Sequence, residues 1–138
     1  MISGIELLLN HCIRYYDRQF VTREKHNKTV VDAINDFLTA YFRSNLVTAE
    51  GLPTVLQCAE HVNLSPNYLS DLLRKETGKS TQDHIHHHLL EIAKDRLMGT
   101  DQSVKEIAHS LGFEYAQYFS NLFKKKTGFS PSEFRNLN

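Results

Sequence analysis

The chain has 138 residues, 41% of them hydrophobic, which is enough for one compact domain with a buried core and excludes a disordered tail. It carries 16 basic and 16 acidic residues, and residues 50–138 hold ten against eleven, a formal net charge of −1, so composition alone does not indicate a nucleic-acid partner. Cys12 and Cys58 match no C-x-x-C spacing, and the apolar run at 7–9 is far too short to span a bilayer. We therefore expect a reduced, cytoplasmic protein without disulfides or a membrane partner.

Apolar residues recur at helical spacing along the chain, which predicts an all-α fold. A first helix is expected over residues 4–20 and a second over residues 29–43, with the polar residues 22–28 between them. One face of the second helix is apolar: Val30, Ile34, Phe37, Leu38 and Tyr41. Because a lone helix cannot leave such a face in water, we expect it to pack on the first helix or on a second chain, and we favour homodimerisation through residues 29–43.

After a break at residues 47–53, capping signals recur regularly. Thr54 and Ser103 each begin a capping-box pattern, and Ser65-Pro66 and Ser130-Pro131 place proline just inside a helix. A long helix is predicted from Ser80 to about residue 98, ended by a glycine. Two further glycines, Gly78 and Gly128, are predicted to end helices, and Gly112 is predicted to form a turn.

The second part of the chain is an internal duplication. The stretch from Leu69 to Ser80 aligns with the stretch from Phe119 to Ser130, and residues 58–64 align with residues 107–113. Each copy has the layout helix, tight turn, helix. We therefore predict two helix-turn-helix units within one domain, joined by the long helix.

The second helix of each copy carries a polar stripe at spacing i, i+3, i+4, i+7, opposite its apolar residues. The stripes comprise Asn67, Ser70, Asp71 and Arg74 in the first copy, and Gln117, Ser120, Asn121 and Lys124 in the second. A recognition helix needs short hydrogen-bonding side chains toward base edges and cations behind them for phosphates. One such stripe is usually an ordinary solvated face, but two copies behind the same helix–turn pattern favour a role in double-stranded DNA binding.

These residues resemble the AraC/XylS family of bacterial transcription regulators. The resemblance rests on Glu91-Ile92-Ala93-Lys94-Asp95-Arg96-Leu97, on Ser103 to Phe113 with its Ile107-Ala108 and Leu111-Gly112 pairs, and on Tyr118-Phe119-Ser120, Phe123-Lys124-Lys125, Gly128, Ser130-Pro131 and Phe134-Arg135. It covers about residues 52–135. It implies two helix-turn-helix units joined by a long helix, a role in regulating transcription, and RNA polymerase as a candidate partner.

The resemblance also implies which side chains contact bases, and the positions of the cations and helix N-termini predict the phosphate contacts. Base contacts are expected from the second helix of each unit, at Asn67, Ser70, Asp71, Gln117, Ser120 and Asn121. Phosphate contacts are expected from Arg74, Lys75, Lys124 and Lys125, and from the helix N-termini at Thr54 and Ser103. Two positions depart from the family pattern: Asp71 is acidic where relatives often carry a longer or basic side chain, and His84 stands where the second copy has Phe134.

We divide the chain into a helical linker with a candidate dimerisation surface, residues 1–50, and a double helix-turn-helix domain, residues 51–138. Many members of the family also carry an effector-binding β domain, which nothing in this sequence could form. We therefore expect the chain to be the DNA-binding part of a longer regulator.

A histidine cluster, His84 with His86, His87 and His88, offers an i, i+4 pair that can chelate zinc on a helix. We favour the simpler interpretation, in which His84 fills an aromatic core position and the others lie on the helix surface, and we expect neither metal nor cofactor. No motif for a nucleophile, a phosphate loop or paired carboxylates is present in the sequence, so we expect no enzyme. The alternative function is a helical protein-interaction module, responsive to a metal, that keeps the motifs only as scaffold.

Overall fold

The computed structural model describes the backbone of residues 4–137 and the side chains of residues 23–137. All regular structure in this range is helical, which confirms the predicted fold class. The helices are α1 (Gly4–Arg43), α2 (Leu46–Glu50), α3 (Val55–His61), α4 (Pro66–Thr77), α5 (Thr81–Gly99), α6 (Val104–Ser110), α7 (Ala116–Thr127) and α8 (Pro131–Arg135). Cys12, which was expected to be reduced, lies outside the described side chains.

The helix ends follow the capping signals of the sequence. Thr54 and Ser103 form complete capping boxes with the side chains of Gln57 and Glu106, so the free N–H groups at both ends of each box are satisfied. The α4 and α7 helices both end on a glycine in the left-handed conformation, Gly78 at φ 81° and Gly128 at φ 85°. Glycine adopts this conformation without the steric cost that a Cβ imposes, which explains why both helices stop at equivalent positions.

The two predicted helix-turn-helix units are present. The first consists of α3 and α4, the second of α6 and α7, and α5 lies between them with contacts to α3, α4, α6 and α8. At 1.5 Å rise per residue, the 19 residues of α5 make a rod about 28 Å long. The core runs without interruption from α1 through both units, and its largest fully buried side chains include Leu73, Leu89 and Phe123.

The two separate N-terminal helices were predicted wrongly, because residues 4–43 form one helix. The intervening residues 22–28 are polar but contain neither glycine nor proline, so nothing in them breaks the backbone hydrogen-bond ladder. At the end of this stretch the Thr29 hydroxyl donates to the Lys25 carbonyl at 2.8 Å, a bond that helical geometry permits. A polar composition alone therefore did not mark a helix end.

The apolar face of α1 has a different partner from the two we expected. Val30, Ile34, Leu38 and Tyr41 are buried, and the helix packs on α3, α4 and α5 of the same chain. Phe37 is half-buried, with its ring stacked on that of His61 at a centroid distance of 4.5 Å. Because the helix-turn-helix domain covers this face, it is not available for homodimerisation through residues 29–43.

The expected break at residues 47–53 also needs correction, since it contains most of the short helix α2. Its one buried residue, Val47, belongs to the common core. Five residues give too few turns for a periodic pattern, which is why the sequence did not reveal this helix. Over the part of the chain that the structure describes, no helix is both long enough and apolar enough to traverse a bilayer.

Candidate nucleic-acid interface

The turns of the two units have matching backbone geometry. In the first, the Leu64 N–H donates to the Ala59 carbonyl at 3.0 Å; in the second, the Phe113 N–H donates to the Ala108 carbonyl at 3.0 Å. Both alanines are fully buried, which lets the two helices of each unit cross at short range. The sequence duplication is thus a structural duplication, and α4 and α7 are equivalent helices.

The exposed face of α4 carries most of the polar side chains expected there. Asn67, Asp71 and Arg74 are exposed, whereas Leu69, Leu72 and Leu73 are buried beneath them. Ser70 is only half-buried, and its hydroxyl lies 3.1 Å from that of Thr81 at the start of α5. This hydrogen bond ties Ser70 to the connecting helix, so Ser70 stands at the edge of the stripe and not at its centre.

The α7 helix repeats the arrangement. Gln117, Asn121 and Lys124 are exposed, Phe119 and Phe123 are buried, and Ser120 is half-buried like its counterpart in α4. The spacing of Gln117, Asn121 and Lys124 places them on one face of the helix. Each unit therefore presents an amide or carboxylate pair followed by a cation.

Each of these helices also carries an exposed tyrosine that was not predicted to contact DNA. Tyr68 in α4 and Tyr118 in α7 occupy equivalent positions and are 51% and 63% exposed. Tyr118 also contacts Tyr115 edge-on, with ring centroids 5.6 Å apart. Both tyrosines fall outside the inward-facing positions of their helices, and this mismatch, repeated in two copies, was the available signal.

Tyr118 lies in an open cleft between α6 and α7. The cleft has a volume of about 750 Å³, and it is lined by Lys105, His109, Glu114, Tyr115, Ala116, Gln117, Tyr118 and Asn121. It brings two of the predicted base-contacting residues together with a lysine and two aromatic rings. Lys105 is the cation of this cleft that the sequence analysis omitted.

The predicted phosphate-contacting cations are also at the surface. Arg74 and Lys75 lie in the last turn of α4, and Lys124 and Lys125 in the last turn of α7, all exposed. The neighbouring Lys126 instead forms an ion pair with Asp83 of α5, with N and O 3.6 Å apart. Hydrogen bonds from the Ser80 backbone and side chain, with smaller effects from Lys126, lower the pKa of Asp83, so this carboxylate stays charged.

Thr54 and Ser103, expected at phosphate-binding helix N-termini, lie at the starts of α3 and α6 with both hydroxyls accepting capping bonds. The oxygens of these hydroxyls therefore act as acceptors within the chain. A phosphate at either end would be held by the backbone N–H groups of the first helical turn that the capping box leaves unpaired.

The histidine cluster is dispersed over several contacts. His84 is buried and hydrogen-bonds the Thr77 hydroxyl at 2.9 Å, as expected for a residue in a core position. His88 approaches Asn35 of α1 at 3.4 Å, and His86 hydrogen-bonds Gln82 at 2.9 Å. Burial, as the largest cause, lowers the pKa of all three imidazoles. His84 and His88, the i, i+4 pair, thus have separate hydrogen-bond partners.

Two helix-turn-helix units, each with an exposed polar face on its second helix and cations at the end of that helix, define a double helix-turn-helix domain of the DNA-binding class. Comparison with known proteins gives the family. A family model described as a helix-turn-helix domain matches residues 58–137, more than half of the chain. The chain belongs to the AraC-type helix-turn-helix family, as the sequence resemblance implied.

Individual relatives agree. An uncharacterized HTH-type transcriptional regulator of Escherichia coli K12, YijO, is 38% identical over 128 residues, which are 93% of this chain and 42% of the relative. The arabinose operon regulatory protein of the same organism is 40% identical over 81 residues, 59% of this chain and 28% of the relative. Among solved structures, the C-terminal domain of AraT, a response regulator from Geobacillus stearothermophilus, matches with a TM-score of 0.68 and 29% identity over 79% of this chain and 85% of that one. The chain thus spans less than half the length of these two curated relatives.

Proposed function

We propose that the chain binds a specific site on double-stranded DNA by placing α4 and α7 in two major grooves, and that it regulates transcription from that site in the cytoplasm. The observation that supports this most strongly is the duplicated exposed face, with Asn67, Asp71 and Arg74 in one unit and Gln117, Asn121 and Lys124 in the other. A solvated surface without a ligand has no reason to repeat two short polar side chains followed by a cation, an amide first in each, at equivalent positions of equivalent helices. The alternative, a helical protein-interaction module responsive to a metal, is not favoured by the family assignment.

Base contacts are assigned to the exposed stripe. Asparagine and glutamine pair bidentately with adenine, and aspartate accepts from the cytosine amino group, so Asn67, Gln117 and Asn121 favour adenine and Asp71 favours cytosine. Ser70 and Ser120, being half-buried, are placed at the margin, where a hydroxyl reaches either kind of base. The exposed rings of Tyr68 and Tyr118 suit contacts with thymine methyl groups.

Phosphate contacts are assigned to Arg74, Lys75, Lys124 and Lys125, and to the backbone at the N-termini that begin after Thr54 and Ser103. These contacts fix the register of the protein on the duplex without reading sequence. We assign DNA contact to residues 51–138. Within residues 1–50, side chains from Val30 to Val47 belong to the common core and stabilise this domain.

The remaining partners follow from this assignment. Regulation at a promoter makes RNA polymerase the candidate protein partner. Homodimerisation through residues 29–43 is not proposed, because the apolar side chains that suggested it are buried within the chain. Since the chain spans less than half of its curated relatives, we propose that it acts as the DNA-binding part of a longer regulator.

The spacing of the two contacted segments tests the proposal. One turn of B-DNA is about 34 Å, so two units held on one face of the duplex protect segments about 10 base pairs apart. The segments should differ in sequence and not be palindromic, because the side chains of the two stripes differ. Sites selected from random duplexes and footprinted with the chain give both quantities directly.

An insertion of five base pairs between the segments rotates one of them by half a turn and should abolish simultaneous binding. An insertion of ten base pairs restores the phase but doubles the distance. A rigid pair of units cannot span that distance, so this control should also lose simultaneous binding, whereas a flexible pair should regain it. Unchanged affinity after the five-base-pair insertion would mean that only one unit contacts DNA. Retention on duplex DNA should weaken steeply with salt, and no retention even at low salt would support the protein-interaction alternative instead.

A further inference from the structure

A second connection joins the two helix-turn-helix units besides α5. It is made by residues 44–51, which follow α1 and include α2, and which we call the bridge segment. The bridge segment begins with a turn in which the Ser44 hydroxyl donates to the Tyr41 carbonyl at 2.7 Å and accepts from the Leu46 N–H at 3.2 Å. It therefore leaves α1 in a defined direction.

The bridge segment is attached to the first unit through α1. The Tyr41 hydroxyl donates to the Gly51 carbonyl at 2.8 Å, across the whole length of the segment. Tyr41 itself is 4% exposed and sits on a helix that packs against α3 and α4. Burial raises the pKa of this phenol, with a smaller effect from Glu50, so it remains a proton donor.

The other side of the bridge segment contacts the second unit. The Thr48 hydroxyl donates to the Ser110 carbonyl at 3.3 Å, at the end of α6. The Ser110 hydroxyl in turn accepts from the Arg96 guanidinium of α5, so α2, α5 and α6 meet at this residue. The neighbouring Val47 is 2% exposed and belongs to the common core, so the segment is anchored by apolar packing beside this exposed hydrogen bond.

The turn of the second unit fits against the bridge segment only because it contains Gly112. A Cβ at this position would lie 2.9 Å from the Val47 carbonyl oxygen, closer than real Cβ atoms approach, and 3.0 Å from the Gly51 Cα, tighter than most Cβ contacts. The equivalent residue of the first unit is Asn63, which has a positive φ of 59° and an exposed side chain. Positive φ alone therefore accepts asparagine, and the close backbone approach is what requires glycine at Gly112.

We propose that the bridge segment fixes the orientation of the second unit relative to the first, so that Thr48 and Gly112 are positioning residues for DNA binding. The connecting helix sets the distance between the units, and a contact away from its axis resists rotation of the second unit about that axis. The expected preference for one spacing of the DNA segments rests on the proposed function. The expected fixed orientation of the two units in the free protein does not depend on DNA.

Substitution of Gly112 by asparagine is the main test. Asparagine occupies the same turn of the first unit, so G112N changes the close contact with Val47 and Gly51 more than the backbone preference. Binding is measured on duplexes that carry the two selected segments at separations from 8 to 13 base pairs. We expect a sharp optimum for the parent chain and, for Gly112→Asn, a loss of at least about fivefold in the affinity ratio between the best and the neighbouring separations. The matched control Asn63→Gly should keep the parent profile.

Thr48→Ala provides a second variant, because it removes the hydrogen bond to Ser110 from an exposed side chain without introducing a clash. It should flatten the profile in the same direction by about twofold, with affinity for each single segment unchanged. A purely structural role would weaken all separations alike. If Gly112→Asn and Thr48→Ala both keep the parent spacing preference, the proposal is overturned.

A DNA-free measurement separates this inference from the proposed function. Spin labels on cysteines at the exposed and equivalent positions Glu60 of α3 and His109 of α6, with Cys12 replaced by serine, report the distance between the units. Cys58 is fully buried and its pKa is raised to about 11, so it does not compete for the label. We expect one narrow distance distribution that broadens in Gly112→Asn. Broadening without any spacing preference on DNA would refute the two-groove function alone, and an unchanged distribution would refute the bridge.

Discussion

The two helix-turn-helix units have the same backbone geometry but differ in their core side chains and in the helix that packs against them. The first unit is filled by leucines, Leu69 and Leu73, and is covered by α1; the second is filled by Phe119 and Phe123 and is covered by α8, whose Phe134 ring lies 5.4 Å from that of Phe123. The turn hydrogen bonds and the glycine caps are the same in both. The turns and the glycine caps at the helix ends are therefore conserved between the two copies, whereas the core side chains and the exposed stripes differ.

The largest effects should come from substitutions in the core of each unit. Phe123→Ala removes a fully buried ring and should lower the free energy of unfolding by about 3–5 kcal/mol, and the equivalent Leu73→Ala by about 2–5 kcal/mol. Because one core runs through both units, each variant should unfold in a single transition at a lower urea midpoint. Circular dichroism and tyrosine fluorescence followed together would detect a separate transition, which would show that the units fold independently.

The next largest effects should be on DNA binding, where the two units are expected to prefer different bases. Asn121→Ala should weaken binding to the selected site by about 1–3 kcal/mol and relax one adenine position, because a bidentate pair is lost. Asp71→Ala should relax a cytosine position with a smaller loss of affinity, because it also removes a negative charge near the phosphates. Selection from random duplexes with each variant measures both effects, and retention of the parent preference by both would remove the stripes from the interface.

Substitutions at the N-termini of α4 and α7 should change the free energy of unfolding by a smaller amount. Ser65 caps α4 by accepting from the Tyr68 N–H at 3.2 Å, whereas Tyr115 at the start of α7 makes no side-chain capping bond. Ser65→Ala should lower the free energy of unfolding by about 1 kcal/mol. Tyr115→Ser should raise it by about 0.5 kcal/mol, the gain of a cap less the lost ring contact with Tyr118. Urea unfolding that shows the same sign for both variants would contradict the comparison.

Acid should act on the first unit through His84, the counterpart of Phe134. Burial, then the charges of Lys79 and His87, lower its pKa below the ordinary value of 6.5, so the folded state prefers the neutral ring. Below about pH 6.5 the unfolded chain binds more protons, and the free energy of unfolding falls until the folded-state pKa is reached. His84→Phe should make this fall smaller between pH 7.5 and 5.5, with a remainder from His86 and His88, whose pKa values are lowered by burial. An equal fall in the variant would exclude His84 as a source.

Much of the fold could be predicted because its signals are local. Thr54, Ser65, Ser103 and Ser130 mark helix starts through their own side chains, and the duplication fixed both units and the connecting helix. The missed features depend on contacts distant in sequence. Nothing near α1 announces that its apolar face packs on α3, α4 and α5, and Ser70 leaves the exposed stripe only because Thr81 lies beside it.

The candidate site was predictable to the same extent. Helical spacing identified the exposed residues Asn67, Asp71, Gln117 and Asn121, because spacing alone decides which face of a helix is opposite the core. It did not identify Lys105, which reaches the cleft of Tyr118 and Asn121 only through the packing of α6 against α7. The need for glycine at Gly112 was equally hidden, since its cause is a carbonyl 65 residues earlier in the chain, at Val47.

The basic ends of α4 and α7 have a consequence for how the protein would find its site. Because the chain carries as many acidic as basic residues, its net charge adds no attraction to DNA. The attraction exerted by these cations is itself screened beyond about one Debye length, roughly 8 Å at physiological ionic strength. Such a protein should have a low affinity for non-specific DNA and should dissociate quickly wherever the bases do not match. Its occupancy of a promoter would then depend on the quality of the match and on its own concentration, and much less on the amount of competing chromosome.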